Sequence, residues 1–337
     1  MNQRQWLGFW LSMAIVASAH ANDSTGFVGT GGVEYVHNPN ISMQSEDLFI
    51  SKKQIRVDYQ FKNLTTRDIT ETILFPLPRI SSSRDSDFAD TEGLIQSFQV
   101  RQNGQLLKPT THVRTFLPDP NAMPDVSAED PIIDVTTALK ACGLSDQELM
   151  LPWTQNQEIE KISAKMMQCN NPKVQALLKS YDHGDEVYWE AQVVYSWQQT
   201  FKANTITRIQ HQYRPLVGGS VALYPDEDEK NYCMDSSFKA GLRKAQAQHA
   251  PYSALSYILS TGANWAKPIA DFKLTVEREA GELVSFCWDG KVQKISPTRF
   301  QMSKKNFKPK QDLNIIFVNT QFRFEKKAHA EHGLKMN

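Results

Sequence analysis

Residues 55 to 62 read IRVDYQFK, with Ile55, Val57, Tyr59 and Phe61 alternating against Arg56, Asp58, Gln60 and Lys62. A period of two puts the first set on one side of an extended chain and the second on the other, the pattern of a strand with one buried face. The alternation recurs in residues 189 to 197, WEAQVVYSW, where Trp189, Ala191, Val193, Tyr195 and Trp197 share a face. It returns in Phe272, Leu274 and Val276, and again in Leu313, Ile315 and Phe317. Asn103-Gly104 and Asp289-Gly290 lie between apolar runs and supply the positive-φ residues that a two-residue hairpin turn requires. Antiparallel strands joined by tight turns, without regularly alternating helices, predict a mainly β chain of sandwiches and not a doubly wound sheet.

Helix signals are confined to two places. After a Pro- and Asp-rich loop, residues 118 to 186 hold a capping box (Ser145 with Glu148), a helical face of Ile159, Ile162 and Met166, and a helix start at Asn171-Pro172. Farther on, Asp235 caps a helix presenting Phe238, Leu242 and Ala245, and Pro251 is expected to open a second helix that stops at Gly262. The Gly-rich STGFVGTGG, residues 24 to 32, reads from composition as weakly structured and lacks the spacing of a nucleotide loop.

The first stretch carries Arg4, an apolar run from Trp6 to Val16, and the small-residue signal Ala19-His20-Ala21 ahead of Asn22. This is the pattern of a secretory leader over residues 1 to 21, and its apolar run is shorter than the ~20 residues a membrane-spanning helix needs. A transmembrane anchor is therefore not expected after the leader is removed, and the mature chain is expected in the periplasm or outside the cell. Of 37 basic and 37 acidic residues, loss of Arg4 leaves 36 against 37, a balance with no electrostatic footprint for nucleic acid.

The mature 316 residues (337 less 21) suggest two β-sandwich-like domains. Residues 22–117 with 187–217 would make the first, 118–186 a helical insertion in it, and 218–325 a C-terminal β-rich domain with leading helices. Residues 326–337 are a polar tail. Four cysteines in an exported chain favour disulfides, and every gap between them exceeds the two to four residues of a zinc-binding pair. Three pairings are possible; the most local joins Cys142 to Cys169 and Cys233 to Cys287.

SMQSEDLFISKKQIRVDYQFKN followed by FPLP, then TFKANTITRIQHQYRPLVGGS, YILSTGANWAKPIADFKLTVE and LVSFCWDGKVQKISPTRFQM, together resemble an exported bacterial family, domain of unknown function 4424. The likeness spans nearly the whole mature chain and is least in the helical insertion. It implies an exported, β-rich protein, and it implies no reaction or catalytic residue.

Candidate chemistry is sparse. Asp226 to Glu229 are four consecutive carboxylates, but Lys230, Asn231 and Ser237 stand where a calcium loop needs a ligand, a turning Gly and a bidentate Glu, so an exposed turn is expected. GGSVA, residues 218 to 222, nearly matches a nucleophile elbow around Ser220, yet Val221 to Pro225 read as extended and then turned, not helical; a Gly-rich connection is expected. Glu46 and Asp47 are adjacent on a strand and face opposite ways, which suits strand-entry hydrogen bonding better than flanking one scissile bond. His329 and His332 form a possible i, i+3 pair in the polar tail. Trp153, Trp189, Trp197, Trp265 and Trp288 could stack on a ligand. Trp189 and Trp197 belong to a core face, while Trp265, in a Gly- and Pro-bounded loop, is the best exposed anchor, although core packing is favoured even there. Trp265, Glu46 and Asp47 are thus the weak binding candidates, with no cofactor, metal or catalytic residue assigned. The expected role is a non-enzymatic structural or interaction protein with an envelope or extracellular partner, a protein in preference to a glycan. An envelope hydrolase assembled from scattered residues and a glycan-binding module are the alternatives.

Overall fold

A computed structural model describes residues 23–29, 32–81, 90–120, 132–150, 152, 158–179, 186–220 and 222–321. The expected leader with Ala19, Ala21 and Asn22, Trp153, and the His329/His332 pair lie outside the described residues. The chain is mainly β, as the alternation predicts. It opens with β1 (Ser24–Gly29), β2 (Gly32–Val36), β3 (Ile41–Ile50), β4 (Ile55–Asn63), β5 (Ile69–Pro76) and β6 (Ile80–Ser81). After helix α1 (Thr91–Gln96) come β7 (Gln99–Gln102), β8 (Gln105–Leu106), β9 (Thr110–Pro118) and β10 (Ile132–Asp134). Short helices come next: α2 (Thr136–Ala141), α3 (Asp146–Leu149), α4 (Glu158–Met167) and α5 (Pro172–Leu177). The chain then returns to strands with β11 (Glu190–Phe201), β12 (Ile206–Tyr213) and β13 (Gly218–Ser220). Helices α6 (Pro225–Tyr232) and α7 (Ser236–Ala245) precede β14 (Tyr252–Tyr257), β15 (Ile269–Glu277), β16 (Glu282–Phe286), β17 (Gln293–Lys294), β18 (Arg299–Phe307) and β19 (Leu313–Asn319).

Among the described residues these strands form three sheets. One runs β10-β9-β11-β5-β1-β2 with β6 also on β11, a second runs β17-β18-β15-β3-β4-β12-β7-β8, and a third runs β13-β14-β19-β16. The second, eight-stranded sheet takes strands from both sides of residue 217, because β15 pairs with β3 in parallel while its other pairings are antiparallel. Its inward residues, among them Leu48, Val57, Phe61, Ile209, Leu274 and Met302, pack as one core with Phe75, Val193 and Trp197 of the first sheet and Tyr257, Ile315 and Phe317 of the third. The third sheet is buried on both faces, since Ile316 and Val318 pack outward against Phe238 and Leu242 of α7. The insertion has its own smaller core, where Leu139, Leu149, Met166 and Val174 pack on Val113, Leu117 and Trp189.

Local signals explain the element ends. Ser145 and Glu148 form the reciprocal capping box, Asn171 caps α5 with Pro172 in its first turn, and Asp235 accepts from the Phe238 amide. Asn103 and Gly104 take φ 47° and 86° in the two-residue β7–β8 hairpin. Cys142 is bonded to Cys169 and Cys233 to Cys287, the local pairing.

Four expectations are corrected. Residues 252–257 form β14 and not a helix, because Leu255 and Tyr257 point into the core while both edges hydrogen-bond to β13 and β19. Asp289-Gly290 is not a two-residue hairpin turn: β16 belongs to the third sheet and β17 to the second, so residues 287–292 cross between sheets. The Gly-rich start forms the β1–β2 pair, held on β5 and by the Thr25 hydroxyl donating to the Val36 carbonyl at 2.6 Å. Tertiary pairing there outweighs the conformational entropy of glycine. The acidic run is helical and not a turn: Pro225 starts α6, and Asp226 and Asp228 follow in its first turn, where carboxylates complement the helix dipole.

Candidate functional site

The outer face of the eight-stranded sheet is polar and concave, a groove of about 800 Å³. Register builds it. Strand β3 carries a bulge between Met43 and Ser45, so Glu46, Leu48 and Ile50 point inward and Ser45 and Asp47 outward. On β4, Asp58 and Gln60 share the outward side, on β12 Arg208 and Gln210, on β15 Asp271 and Lys273, and on β18 Ser303 and Lys305.

Pairing aligns these side chains in two rows across the strands. One runs Ser303, Lys273, Asp47, Asp58, Gln210, Arg101, and the other Lys305, Asp271, Ser45, Gln60, Arg208. Asp47 and Asp58 stand directly opposite each other, an arrangement that repels unless neighbours compensate. They do: Lys273 pairs with Asp47, and Asp58 accepts from Arg56 Nε at 3.2 Å and Gln210 Nε2 at 2.5 Å. Asp271 is neutralised by Lys305. At the opposite end, Arg101 and the exposed Arg208 have no carboxylate at ion-pair distance among the described residues. The rows therefore leave one end of the groove with uncommitted guanidinium groups.

Beneath this face lies a set of buried polar groups. Glu46 is 1 % exposed, and the hydroxyls of Tyr59 and Tyr257 lie 3.4 Å apart. Burial holds both phenols well above the usual tyrosine range; the Glu46 charge adds to it in each, as does the neighbouring Tyr257 for Tyr59. The carboxylate of Asp23 faces His211 from the first strand's lead-in. Their side chains are closed off from solvent in the core beneath the groove floor.

The candidates named from sequence separate accordingly. Asp47 faces the groove, and Glu46 turns away from it. Trp265 is 2 % exposed, packs against Phe61 at 4.5 Å between ring centroids, and donates its indole N–H to the Asp23 carbonyl at 3.0 Å. It is a core residue, the packing favoured from its sequence, because the N-terminal strand covers its loop. Ser220 ends strand β13, not a strand-to-helix elbow, and a Cβ on Gly219 would come 2.1 Å from the Tyr252 carbonyl, so this glycine permits close strand approach. Glu229 pairs with Lys239, and among the described residues no group of three or more His, Cys, Asp or Glu could hold a metal ion.

Sequence reasoning passed over Arg101, Arg208 and a His112–Ser196 contact of 2.7 Å. Burial lowers the His112 pKa, so the imidazole is a neutral partner. Ser196, however, lies mid-strand between Leu74 and Thr110 of the flanking strands. The backbone amides around it are committed to two ladders, which leaves none to stabilise an oxyanion. The pair is a cross-strand hydrogen bond.

The chain is thus a mainly β, sandwich-like fold with one polar, concave sheet face and two disulfides. The chain belongs to the domain of unknown function family DUF4424, whose model matches residues 21–316. No curated protein matches it. Among solved structures, a Legionella pneumophila protein provisionally described as nutrient-binding is similar at 14 % identity and a TM-score of 0.40, over 88 % of this chain and 70 % of that one. So loose a likeness carries no argument about a ligand.

Proposed function

We propose that this protein is an exported, non-enzymatic interaction module that receives an acidic segment of an envelope protein on the outer face of its eight-stranded sheet. The observation that carries the reading is the uncommitted Arg101 and Arg208 at one end of a groove whose other charges are paired. A guanidinium presents a planar fork matched to a carboxylate, so this end selects an anion while the rows of Gln, Ser and paired charges offer hydrogen bonds along an extended chain. A glycan fits less well, because Tyr59 and Phe272, the aromatic residues bordering the groove, are buried and offer no open ring for a sugar to stack on. Two disulfides and the leader sequence support export. Among the described residues no helix is long and apolar enough to cross a membrane.

A photo-crosslinking residue placed at Gln60, in the groove, tests this in the native envelope against the same residue at Lys239 on α7. A discrete adduct with one acidic protein from position 60 alone supports the reading. Equal capture from both positions, or capture from 239 only, removes the groove as the binding face.

A further inference from the structure

A second cavity, of about 230 Å³, opens beside the groove and shares Lys304 with it. Its wall is aromatic. Trp288 and Phe307 are half-buried, their ring centroids 5.9 Å apart, and both stack toward the buried Phe272 at 5.9 and 4.6 Å. Leu259 and Leu313 supply apolar surface behind them. Half-exposed aromatic rings at a concave site are costly to leave in water and are the usual lining of ligand pockets.

The rim is basic. Lys304 Nζ lies 4.8 Å from the Trp288 ring centre and 5.2 Å from that of Phe307, which fixes one cation over the aromatic wall. Its carboxylate partner, Asp289, is fully exposed, so that pair is screened and weak. Asp312 is occupied by the Leu259 and Ser260 amides at 3.0 and 3.1 Å, a loop-closing role. Exposed Lys308 and Lys310 line the same opening and have no carboxylate at ion-pair distance among the described residues. The cavity thus combines a flat apolar wall with an excess of positive charge at its mouth.

We propose that this cavity binds a small aromatic carboxylate, its ring against Trp288 and Phe307 and its carboxylate between Lys308 and Lys310. The size suits a single ring better than a larger ligand. The site is independent of the groove's partner, since neither Arg101 nor Arg208 lines it.

Calorimetric titration of the full chain with phenylacetate, and with neutral phenylacetamide as the control, tests the assignment. Phenylacetate should bind and the amide should bind at least about tenfold more weakly, the loss expected when charge-assisted hydrogen bonds are removed. Lys308→Ala/Lys310→Ala, on exposed positions that leave the core intact, should weaken phenylacetate to the level of the amide, and Trp288→Ala should weaken both. Arg101→Glu/Arg208→Glu should leave phenylacetate binding unchanged, which separates this site from the groove. Equal binding of acid and amide, an unaltered affinity in the double lysine variant, or no binding of phenylacetate by the parent would overturn the proposal.

Discussion

Nε2 of His211 lies 3.2 Å from the carboxylate of Asp23, and both side chains are withdrawn from solvent. The imidazole sits among Tyr59, Phe75, Phe98 and Trp197, with ring centroids 4.7 to 5.6 Å away, so Asp23 is the polar partner that makes its burial tolerable. Asp23 also accepts the Trp265 indole N–H on its carbonyl, which ties the start of the described chain to the loop before β15. Replacing Asp23 with Ala should cost about 2 kcal/mol, the penalty for leaving a buried polar group without its hydrogen-bond partner. Urea unfolding checks this: a shift in midpoint at constant slope is expected, and a loss under about 1 kcal/mol would class the contact with surface pairs.

Tyr59 and Tyr257 make alkaline stability a second readout. Their folded pKa values are raised above about 10, the ordinary tyrosine value, first by burial. A raised phenol contributes stability that is whole below that value and lost as pH climbs past it, because the unfolded chain then releases protons the folded chain retains. The parent should therefore weaken steeply above about pH 10, with these tyrosines titrating only as the protein unfolds. Tyr59→Phe/Tyr257→Phe should flatten that decline. An unchanged alkaline profile in the double variant would place the titrating groups elsewhere.

Glu148 carries the opposite sign. Hydrogen bonds from Lys165, then from the Ser145 amide and hydroxyl, lower its pKa to about 2. A depressed carboxylate stabilises above its ordinary value and loses that contribution as pH falls toward the folded one. Glu148→Ala should lower stability by about 1 kcal/mol at neutral pH, a typical capping loss, and by little near pH 2. Thermal unfolding at the two pH values shows whether the difference closes.

Both disulfides close loops, of 27 and 54 residues. On chain entropy, replacing Cys142 and Cys169 with Ala should cost roughly 3.5 kcal/mol and replacing Cys233 and Cys287 roughly 4 kcal/mol. The second pair also holds the α6 terminus beside β16, where the Ser285 hydroxyl donates to the Tyr232 carbonyl at 2.9 Å. A larger loss for Cys142/Cys169 would show that the insertion, and not the α6 clasp, is the critical staple.

Much of the strand and cap pattern is legible in the chain, because IRVDYQFK and the Ser145, Asn171 and Asp235 caps act over a few residues. The features that escape such reading depend on distant partners. β14 is a strand because β13 and β19 flank it, and the Gly-rich start is ordered by β5 and by the Thr25 hydroxyl. Core packing of Trp265 is favoured from its loop, but the N-terminal segment that covers it is not legible there. The groove is the least legible, since β15 reaches β3 from more than two hundred residues away and no local spacing places Lys273 beside Asp47. The one-residue bulge near Gln44 sends Glu46 inward, a parity change no alternation rule anticipates.

The affinity of the crosslinked partner for the parent and for Arg101→Glu/Arg208→Glu tests the central claim most directly. Each guanidinium–carboxylate contact contributes on the order of 1.5–3 kcal/mol, so reversing both charges should weaken binding by about a hundredfold or more. Added salt should weaken binding to the parent. Equal affinity of parent and variant, with no dependence on salt, would contradict an acidic partner on this face.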